Sequence, residues 1–364
     1  MNYHFTGEEN VISPSLIFYQ DIIEENINKV IELAGGANRL WPHIKTHKTA
    51  GIIKMQIERG INRFKCATIA EAEVCAIAGA HHVMIAYPLV GPAIERFIKL
   101  VNKYPNSSFW AIGDNIEQLK ILGKAVIGVN KNQINTLVDV NLGMDRTGVL
   151  MDLLEDFYNK AIKIEGFNIQ GFHCYDGHIT VNDLKKRKEA VSPAVQRLLE
   201  IKKMLEKQGH QIPVLVMGGS PTFPIHKETA DVFLSPGTLF VQDYGYKSNF
   251  PDLDFTPAAA ILSRVISHPK KNLFTLDTGS KAIAADQPVR GIIADLPEAK
   301  PVLQSEEHWV WSIEENVPPI GTILYVIPNH ICLTSVLYPN VIVVKNGRQT
   351  DDWEINARNR KITV

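Results

Sequence analysis

The sequence has 364 residues, of which 45% are hydrophobic and 21% are charged, and its formal net charge at pH 7 is -1. This length allows one domain of roughly 200–250 residues together with a smaller one. The near-neutral charge gives no electrostatic footprint for nucleic acid or for an anionic membrane. The expected partners are therefore small molecules or a second copy of the chain.

From the sequence we expect neither a signal peptide nor a membrane-spanning segment. Residues 1–10 lack both the basic start and the apolar core of a signal peptide, and no apolar run approaches the ~20 residues that a membrane-spanning helix needs. The four cysteines are scattered and fit no disulfide framework. We therefore expect a cytoplasmic protein that does not associate with membranes.

Residues 13–245 alternate short β-rich runs with amphipathic helical runs, which predicts a parallel sheet with crossover helices. Eight strand candidates fit a closed (β/α)8 barrel, with an open sheet of six or seven strands as the alternative. The candidates are residues 40–45, 63–67, 82–86, 108–112, 134–140, 167–173, 212–217 and 232–234.

The pattern changes after residue 246 to short alternating runs that Pro and Gly interrupt, which is typical of an antiparallel β-domain. Residues 1–12 could add a strand to it. The predicted domains are therefore a barrel over residues 13–245 and a β-domain that combines residues 1–12 with 246–364.

Lys45 ends the first strand candidate, and the turns Gly218-Gly219-Ser220 and Ser235-Pro236-Gly237-Thr238 follow the last two. In a parallel barrel these positions share the face where active sites lie, and Gly-rich turns there often bind phosphate through backbone N–H groups. A lysine that can bind an aldehyde, beside a phosphate cradle, predicts a site for pyridoxal phosphate. Lys48, the local competitor, is expected to lie beyond the strand end.

Further polar side chains follow the fifth and sixth strand candidates at the same end of the barrel: Arg146, His173, Tyr175, Asp176 and His178. We assign Arg146 and Tyr175 to cofactor binding and His178 to catalysis. Structural roles remain open for several of them. Arg146 could form a surface ion pair with Asp145, and the two histidines could each bind a backbone carbonyl.

His330 and Cys332 are two residues apart, so on a strand both side chains would project from one face. An imidazole beside a thiolate suits Zn²⁺ or another borderline metal, with water or a substrate oxygen completing the coordination. The alternative is a buried cysteine beside a structural histidine, which is the more common outcome for such a pair.

Seven segments, in chain order, resemble the D-threonine aldolase / D-serine dehydratase family of fold-type III pyridoxal-phosphate enzymes, which are relatives of alanine racemase. They are residues 42–48, 64–73, 143–148, 218–222, 277–282, 305–308 and 328–332. The resemblance implies that Lys45 forms the internal Schiff base and that Arg146 lies near the phenolic oxygen of the cofactor. It implies a phosphate cradle made of Gly219, Ser220, Thr222, Gly237 and Thr238.

The resemblance also implies that His330 and Cys332 bind a divalent ion (Zn²⁺, Mn²⁺ or Mg²⁺) that holds the β-hydroxyl of the substrate. It implies a head-to-tail homodimer with shared active sites. Two positions depart from the family pattern. Trp41 stands where an arginine is common, and Cys332 is typical of the dehydratase branch, whereas the aldolase branch more often has aspartate.

The expected function is a lyase that acts on D-β-hydroxy amino acids and cleaves D-threonine to glycine and acetaldehyde. Dehydration of D-serine or a D-3-hydroxy amino acid is the nearest alternative. An amino-acid racemase is a further alternative, but it would leave His330 and Cys332 without a purpose. A non-catalytic pyridoxal-phosphate carrier is the last, although such carriers generally lack a second β-domain.

Overall fold

The computed structural model describes residues 2–128 and 134–364. Its contacts divide the chain into two compact units. The barrel unit comprises Val30–Lys45, Ala50–Gly237 and Asn359–Val364, and the β unit comprises the chain up to Lys29, Thr46–Thr49 and Thr238–Arg358. No helix within the described ranges has the length and hydropathy needed to cross a lipid bilayer.

The described residues form strands and α-helices with the following bounds. The strands are β1 (Ser15–Tyr19), β2 (Arg63–Cys66), β3 (His82–Ile85), β4 (Ser108–Gly113), β5 (Ile134–Asn141), β6 (Val149–Leu150), β7 (Phe167–Tyr175), β8 (Val214–Met217), β9 (Val232–Leu234), β10 (Ala259–Lys270), β11 (Leu273–Leu276), β12 (Gly291–Ile293), β13 (Lys300–Gln304), β14 (Trp309–Ser312), β15 (Ile323–Pro328), β16 (Asn340–Lys345) and β17 (Arg348–Glu354). The helices are α1 (Gln20–Ala34), α2 (Ala50–Glu58), α3 (Ile69–Ile77), α4 (Pro92–Lys103), α5 (Ile116–Ile127), α6 (Leu154–Ala161), α7 (Leu184–Lys207), α8 (Phe223–His226), α9 (Tyr244–Asn249) and α10 (Ile331–Ser335).

The sheet of the barrel unit has the order β2-β3-β4-β5-β7-β8-β9, with the short β6 beside β5. Its pairings are parallel throughout, and helices connect successive strands. Polar side chains at the starts of these helices accept bonds from unpaired backbone N–H groups, as Thr68 does for α3 and Asn115 for α5. The predicted fold class of a parallel β/α barrel with a separate β-domain is confirmed.

The predicted first strand, residues 40–45, differs from the expectation. It makes only isolated parallel bridges, from Leu40 to Leu234 of β9 and from His43 to Lys65 of β2, so it links the two end strands of the sheet. Pro42 interrupts regular pairing because it has no N–H to donate, although its carbonyl accepts from the N–H of Lys65. A 3-10 turn over Ile44–Thr46 then replaces the end of the predicted strand.

A buried apolar cluster lies within the barrel unit and consists of Trp41, Met84, Trp110, Ile112, Leu137, Val214 and Val216. Trp41 is fully buried, its ring meets Trp110 edge-on at 5.1 Å between centroids, and its indole N–H donates to the carbonyl of Phe64. Burying a side chain of this size stabilises the fold by about 1.5–3 kcal/mol. The departure from the family pattern at Trp41 is therefore a packing feature.

The β unit contains a mostly antiparallel sheet in the order β13-β14-β11-β10-β1-β16-β17, with β15 joining β10 to β12. Among the paired strands that the structure describes in this sheet, β1 and β16 are parallel and the other pairs are antiparallel. β1 lies slightly later than residues 1–12, where the sequence suggested a strand. Within residues 2–12, Thr6 makes a single bridge to Arg348.

Candidate active site

A cavity of about 350 Å³ lies in the barrel unit where the parallel strands end. Its lining residues come from the C-terminal ends of β2, β3, β5 and β7 and from the 3-10 turn that contains Lys45: His43, Lys45, Lys65, Ala67, Ala86, Tyr87, Pro88, Arg146, Thr147, His173 and Tyr175. This is the end of a parallel barrel at which active sites are built. The sequence predicted Lys45, Arg146 and Tyr175 as site residues, and the structure brings these three side chains together.

Three cationic groups surround the ring of Tyr175, the last residue of β7. The distances to the ring centroid are 5.7 Å from Lys45 Nζ, 5.4 Å from Lys65 Nζ and 4.9 Å from the guanidinium of Arg146. All three lie within the range of cation–π attraction. Among the residues that the structure describes, no carboxylate forms an ion pair with Arg146, and Asp145 bonds with Asn141 instead. The cavity is therefore rich in positive charge.

Asp139 and His173 form a buried pair beside this ring. Nδ1 of His173 lies 2.7 Å from Oδ1 of Asp139, and the hydroxyl of Thr147 donates to Oδ2 at 2.7 Å. Burial would raise the pKa of Asp139, but the bonds from His173 and Thr147 hold it below its ordinary value. Burial lowers the pKa of His173. The neutral imidazole thus donates from Nδ1 and keeps Nε2 as an acceptor.

Nε2 of His173 is a buried atom without a hydrogen-bond partner among the described residues. Because His173 also lines the cavity, this nitrogen is available to a ligand. An aldehyde cofactor with anionic oxygens fits this lining, since the cavity offers lysine amines, a guanidinium and an aromatic surface. The residues present therefore match pyridoxal phosphate in chemistry.

The two predicted phosphate turns meet through hydrogen bonds. The N–H of Gly237 donates to the hydroxyl of Ser220 at 3.1 Å, and the N–H of Gly219 donates to Oγ1 of Thr222 at 3.1 Å. A Cβ on Gly219 would lie 3.0 Å from Cε2 of Tyr175, so a side chain there would crowd the ring. The predicted cradle residues Gly219, Ser220, Thr222 and Gly237 are all buried.

A second carboxylate–histidine pair supports this cradle. Asp176 accepts a bond of 2.7 Å from the hydroxyl of Thr222 and lies 2.6 Å from Nε2 of His226. All three residues are buried. Asp176 therefore fixes the orientation of Thr222 in the turn that follows β8.

Like the residues of the two turns, His178 and Thr238 are not among the residues that line the cavity. His178 is exposed and lies near Gly143, where a Cβ would come within 3.5 Å of its Nε2. Thr238 belongs to the β unit, where its hydroxyl lies 3.8 Å from the sulfur of Cys332. The assignments of His178 to catalysis and Thr238 to the phosphate cradle stay predictions.

The expected strand through His330 and Cys332 is wrong. β15 ends at Pro328, His330 caps α10, and Cys332 lies in the first turn of that helix. The neighbouring Cys332 is nevertheless the largest cause that raises the pKa of His330 to about 9. Burial would raise the pKa of Cys332, but His330 and the bond with Thr46 hold it below its ordinary value.

The surroundings of this pair consist of polar groups from the β unit. Oδ2 of Asp286 lies 2.7 Å from Nδ1 of His330, and the hydroxyl of Thr46, the residue after Lys45 in the chain, lies 3.2 Å from the sulfur of Cys332. Asp243 accepts bonds from the N–H groups of Tyr246 and Ile331, so one carboxylate holds the starts of α9 and α10.

A nitrogen and a sulfur donor, with a carboxylate that orients the imidazole, match the ligand preferences of zinc and similar divalent ions. Within residues 2–128 and 134–364, however, no group of three or more His, Cys, Asp or Glu side chains is arranged to hold a metal ion. The protein would therefore supply two ligands, and the metal site stays a prediction.

Comparison with known proteins identifies the family. Residues 20–244 match the model of the alanine racemase N-terminal domain, and residues 258–344 match the putative serine dehydratase domain. The chain belongs to the alanine racemase N-terminal domain family. The first match lies within the predicted barrel and the second within the predicted β-domain. The family predicted from the sequence is confirmed, and the domain bounds stay a prediction.

Relatives of known name are similar over nearly their whole length. A D-threonine aldolase from Arthrobacter sp. is 26% identical, over 96% of this chain and 93% of the relative. A D-serine dehydratase from Dictyostelium discoideum is 24% identical, over 96% and 97%. The crystal structure of D-threonine aldolase from Filomicrobium marinum superposes with a TM-score of 0.89 at 26% identity and 96% coverage of both chains. The prediction that this family member is an enzyme of the aldolase and dehydratase type is confirmed.

Sequence reasoning missed Lys65 and Asp139. Each stands on a strand that was recognised, and each side chain is buried inside the barrel unit. The available signal was a charged residue one or two positions before the end of a strand that is buried over most of its length. We did not assign the inner face of β2 or β5 from the sequence.

Proposed function

We propose that the protein is a lyase dependent on pyridoxal phosphate and a divalent metal, and that it cleaves D-β-hydroxy amino acids of the D-threonine type to glycine and an aldehyde. The observation that carries this proposal is the cavity of the barrel unit, which Lys45, Arg146, His173 and Tyr175 line together. The similarity to D-threonine aldolases over nearly the whole chain supports the choice of reaction.

In this proposal the amine of Lys45 holds the aldehyde group of the cofactor, and Arg146 faces its phenolic oxygen. Gly219, Ser220 and Thr222, with Gly237 and Thr238, receive the phosphate. When bound, the cofactor supplies an electron sink that stabilises negative charge at Cα of the amino acid. The bond that Nδ1 of His173 donates to Asp139 fixes the tautomer of the imidazole, so that its Nε2 carries the lone pair.

His330 and Cys332 would hold a divalent metal that acts as a Lewis acid on the β-oxygen of the substrate. Asp286 engages Nδ1 of His330 and leaves Nε2 for the metal, which is the usual role of a carboxylate behind a metal-binding histidine. His178 is proposed as the base that takes the hydroxyl proton, because its exposed imidazole could pass the proton to solvent.

Dehydration to a 2-oxo acid and ammonia is the second candidate. The thiol of Cys332 favours it, because that residue departs from the aspartate more often found in the aldolase branch. The similarity to a D-serine dehydratase over 96% of the chain supports the same reading. In this case Lys45 would remove the Cα proton, and a metal held by His330 and Cys332 would supply Lewis acidity at the β-hydroxyl.

Product analysis with D-threonine separates the two candidates. Purified protein is incubated with pyridoxal phosphate and either Mn²⁺ or Zn²⁺, with L-threonine as the matched control substrate. Glycine with acetaldehyde supports the aldolase, whereas ammonia with 2-oxobutyrate supports the dehydratase. If neither appears and L-threonine-series isomers form instead, the lyase proposal fails and a racemase replaces it. The homodimer and the cytoplasmic location implied earlier stay predictions.

A further inference from the structure

Lys65 is a charged residue in an unusual position. It stands on β2 with only 2% of its surface exposed, whereas lysine is almost never fully buried unless it is paired. Arg63, two residues earlier on the same face of the strand, stacks on Phe233 at 4.7 Å. Lys65 therefore lies one step closer to the C-terminal end of the strand, where its ammonium group lines the 350 Å³ cavity.

No carboxylate among the described residues forms an ion pair with Lys65. The two carboxylates that influence it electrostatically are Asp139 and Asp176. Each is already bound to a histidine and a threonine hydroxyl, at 2.6–2.7 Å. The contact that Lys65 does make is with the ring of Tyr175, which it shares with Lys45 and Arg146.

The described residues that line the cavity therefore include two lysines and an arginine but no carboxylate. Burial, followed by repulsion from Lys45, lowers the pKa of Lys65 to about 7, with Asp139 and Asp176 opposing the shift and Arg146 adding to it. The other polar residues of the lining are His43, Tyr87, Thr147, His173 and Tyr175, and none of them is a carboxylate. A bound oxyanion would favour the protonated lysine, since an opposite charge nearby stabilises the charged form.

We propose that Lys65 is an anion-binding residue of the active-site cavity, whose counter-charge is an oxyanion brought in by the ligand. This inference rests on the proposed function, because it takes pyridoxal phosphate and an amino acid as the ligands. Both carry suitable oxyanions: the phosphate and phenolic oxygens of the cofactor, and the carboxylate of the substrate. Lys65 is a binding residue in either case, and binding of the anion is coupled to uptake of a proton by its amine.

The test measures ligand affinity separately from turnover. Apo-protein is titrated with pyridoxal phosphate in the wild type, in Lys65→Met, which removes the charge at similar volume, and in Lys65→Arg, which keeps a charge at every accessible pH. We expect Lys65→Met to weaken cofactor binding by about tenfold or more and Lys65→Arg to retain most of it, as loss of a bond to a charged group implies. Lys54→Met, on the exposed face of α2, is the matched control.

If the anion comes from the substrate, Lys65→Met leaves cofactor affinity unchanged but raises the KM for the D-amino acid by a similar factor, with kcat less affected. The pH dependence gives an independent readout. The wild type should bind the anionic ligand more tightly than Lys65→Met at low pH, and this difference in affinity should disappear as pH rises through the pKa of Lys65 in the complex. Lys65→Arg should keep its affinity over the same pH range.

Stability measurements exclude a purely structural role. Replacing an uncompensated buried ammonium with methionine should leave the apo-protein as stable as the wild type or more stable. Unchanged cofactor affinity together with unchanged KM in a folded Lys65→Met variant would overturn the inference while leaving the proposed lyase intact. Failure of the wild type to bind pyridoxal phosphate at all would instead refute the proposed function.

Discussion

Ionisable side chains gather at two places: the cavity of the barrel unit, and the start of α10 in the β unit, where His330, Cys332 and Asp286 lie (hereafter the turn). The two places suit ligands of opposite charge. In the cavity, cations surround Tyr175 and the nearby carboxylates are occupied by histidines. In the turn, a thiol of lowered pKa and an imidazole stand beside Asp286. The first region suits an anionic cofactor and the second a metal cation, so each can be disrupted separately.

The largest expected effect comes from Lys45 in the cavity. Lys45→Ala removes the amine that the proposal assigns to the cofactor aldehyde, and turnover of D-threonine should fall on the order of 10³-fold or more, as for other residues that act directly in chemistry. The metal content of the protein should not change, because the turn is untouched. Initial rates and metal analysis check both points. Substantial activity in this variant, with Lys54→Ala as the control, would contradict the role of Lys45.

The next effect comes from the turn. Cys332→Ala should remove bound divalent metal and abolish lyase turnover, whereas equilibrium binding of pyridoxal phosphate to the cavity should stay near the wild-type value. Asp286→Asn keeps both ligands but weakens the orientation of His330, so metal affinity should fall by about 10–100-fold. Metal titration of the chelator-treated protein measures the metal affinity of both variants. Full activity after complete removal of metal would contradict the metal-dependent mechanism.

These two regions also show what the sequence could and could not predict. Lys45, Arg146 and Gly219 were recognisable because each lies in a short motif directly after a predicted strand. Lys65 and Asp139 were not, because assigning them requires knowing which face of a strand points into the barrel, and parallel strands buried on both faces lack a clear alternation.

The turn shows that residue spacing alone does not determine secondary structure. The spacing of His330 and Cys332 predicted a shared face on a strand, yet His330 is the N-cap residue of α10 and Cys332 lies in its first turn. A pair two residues apart is compatible with either geometry, so the spacing alone did not decide the secondary structure. Residues 40–45 were similarly placed beside the right strands, although Pro42 prevents a regular strand.

Asp139 allows a smaller perturbation of the cavity. Asp139→Asn removes the charge while keeping the shape, and His173 and Thr147 lose a charged acceptor, so the free energy of unfolding at pH 7 should fall by about 1–3 kcal/mol. Because the pKa of Asp139 is lowered on folding, its contribution is present above the ordinary aspartate pKa and is lost as pH falls through the folded value. Urea unfolding of both proteins at several pH values should show the difference shrinking in acid. If the difference in unfolding free energy between the two proteins stayed constant with pH, Asp139 would not contribute to stability through its negative charge.

The last expected effect is confined to acid pH and concerns His47, which lies in the β unit two residues after Lys45. Burial lowers its pKa from 6.5 to about 3, and its Nε2 has no partner among the described residues, so the folded state keeps it neutral. Between these two pH values the unfolded chain binds a proton that the folded chain does not. Stability should therefore decline on acidification by up to about 1.4 kcal/mol per pH unit from this group.

His47→Asn removes this titration while its side-chain oxygen can still accept the bond from the N–H of Thr49 that Nδ1 receives at 3.4 Å. The variant should be less stable than the wild type at pH 7, because the smaller side chain leaves a cavity, but its stability should fall less steeply between about pH 6 and pH 4. The matched control is His81→Asn at an exposed position, which should keep the wild-type slope. Parallel slopes for His47→Asn and wild type would show that acid sensitivity arises elsewhere, with the buried carboxylate pairs of the cavity as the next place to look.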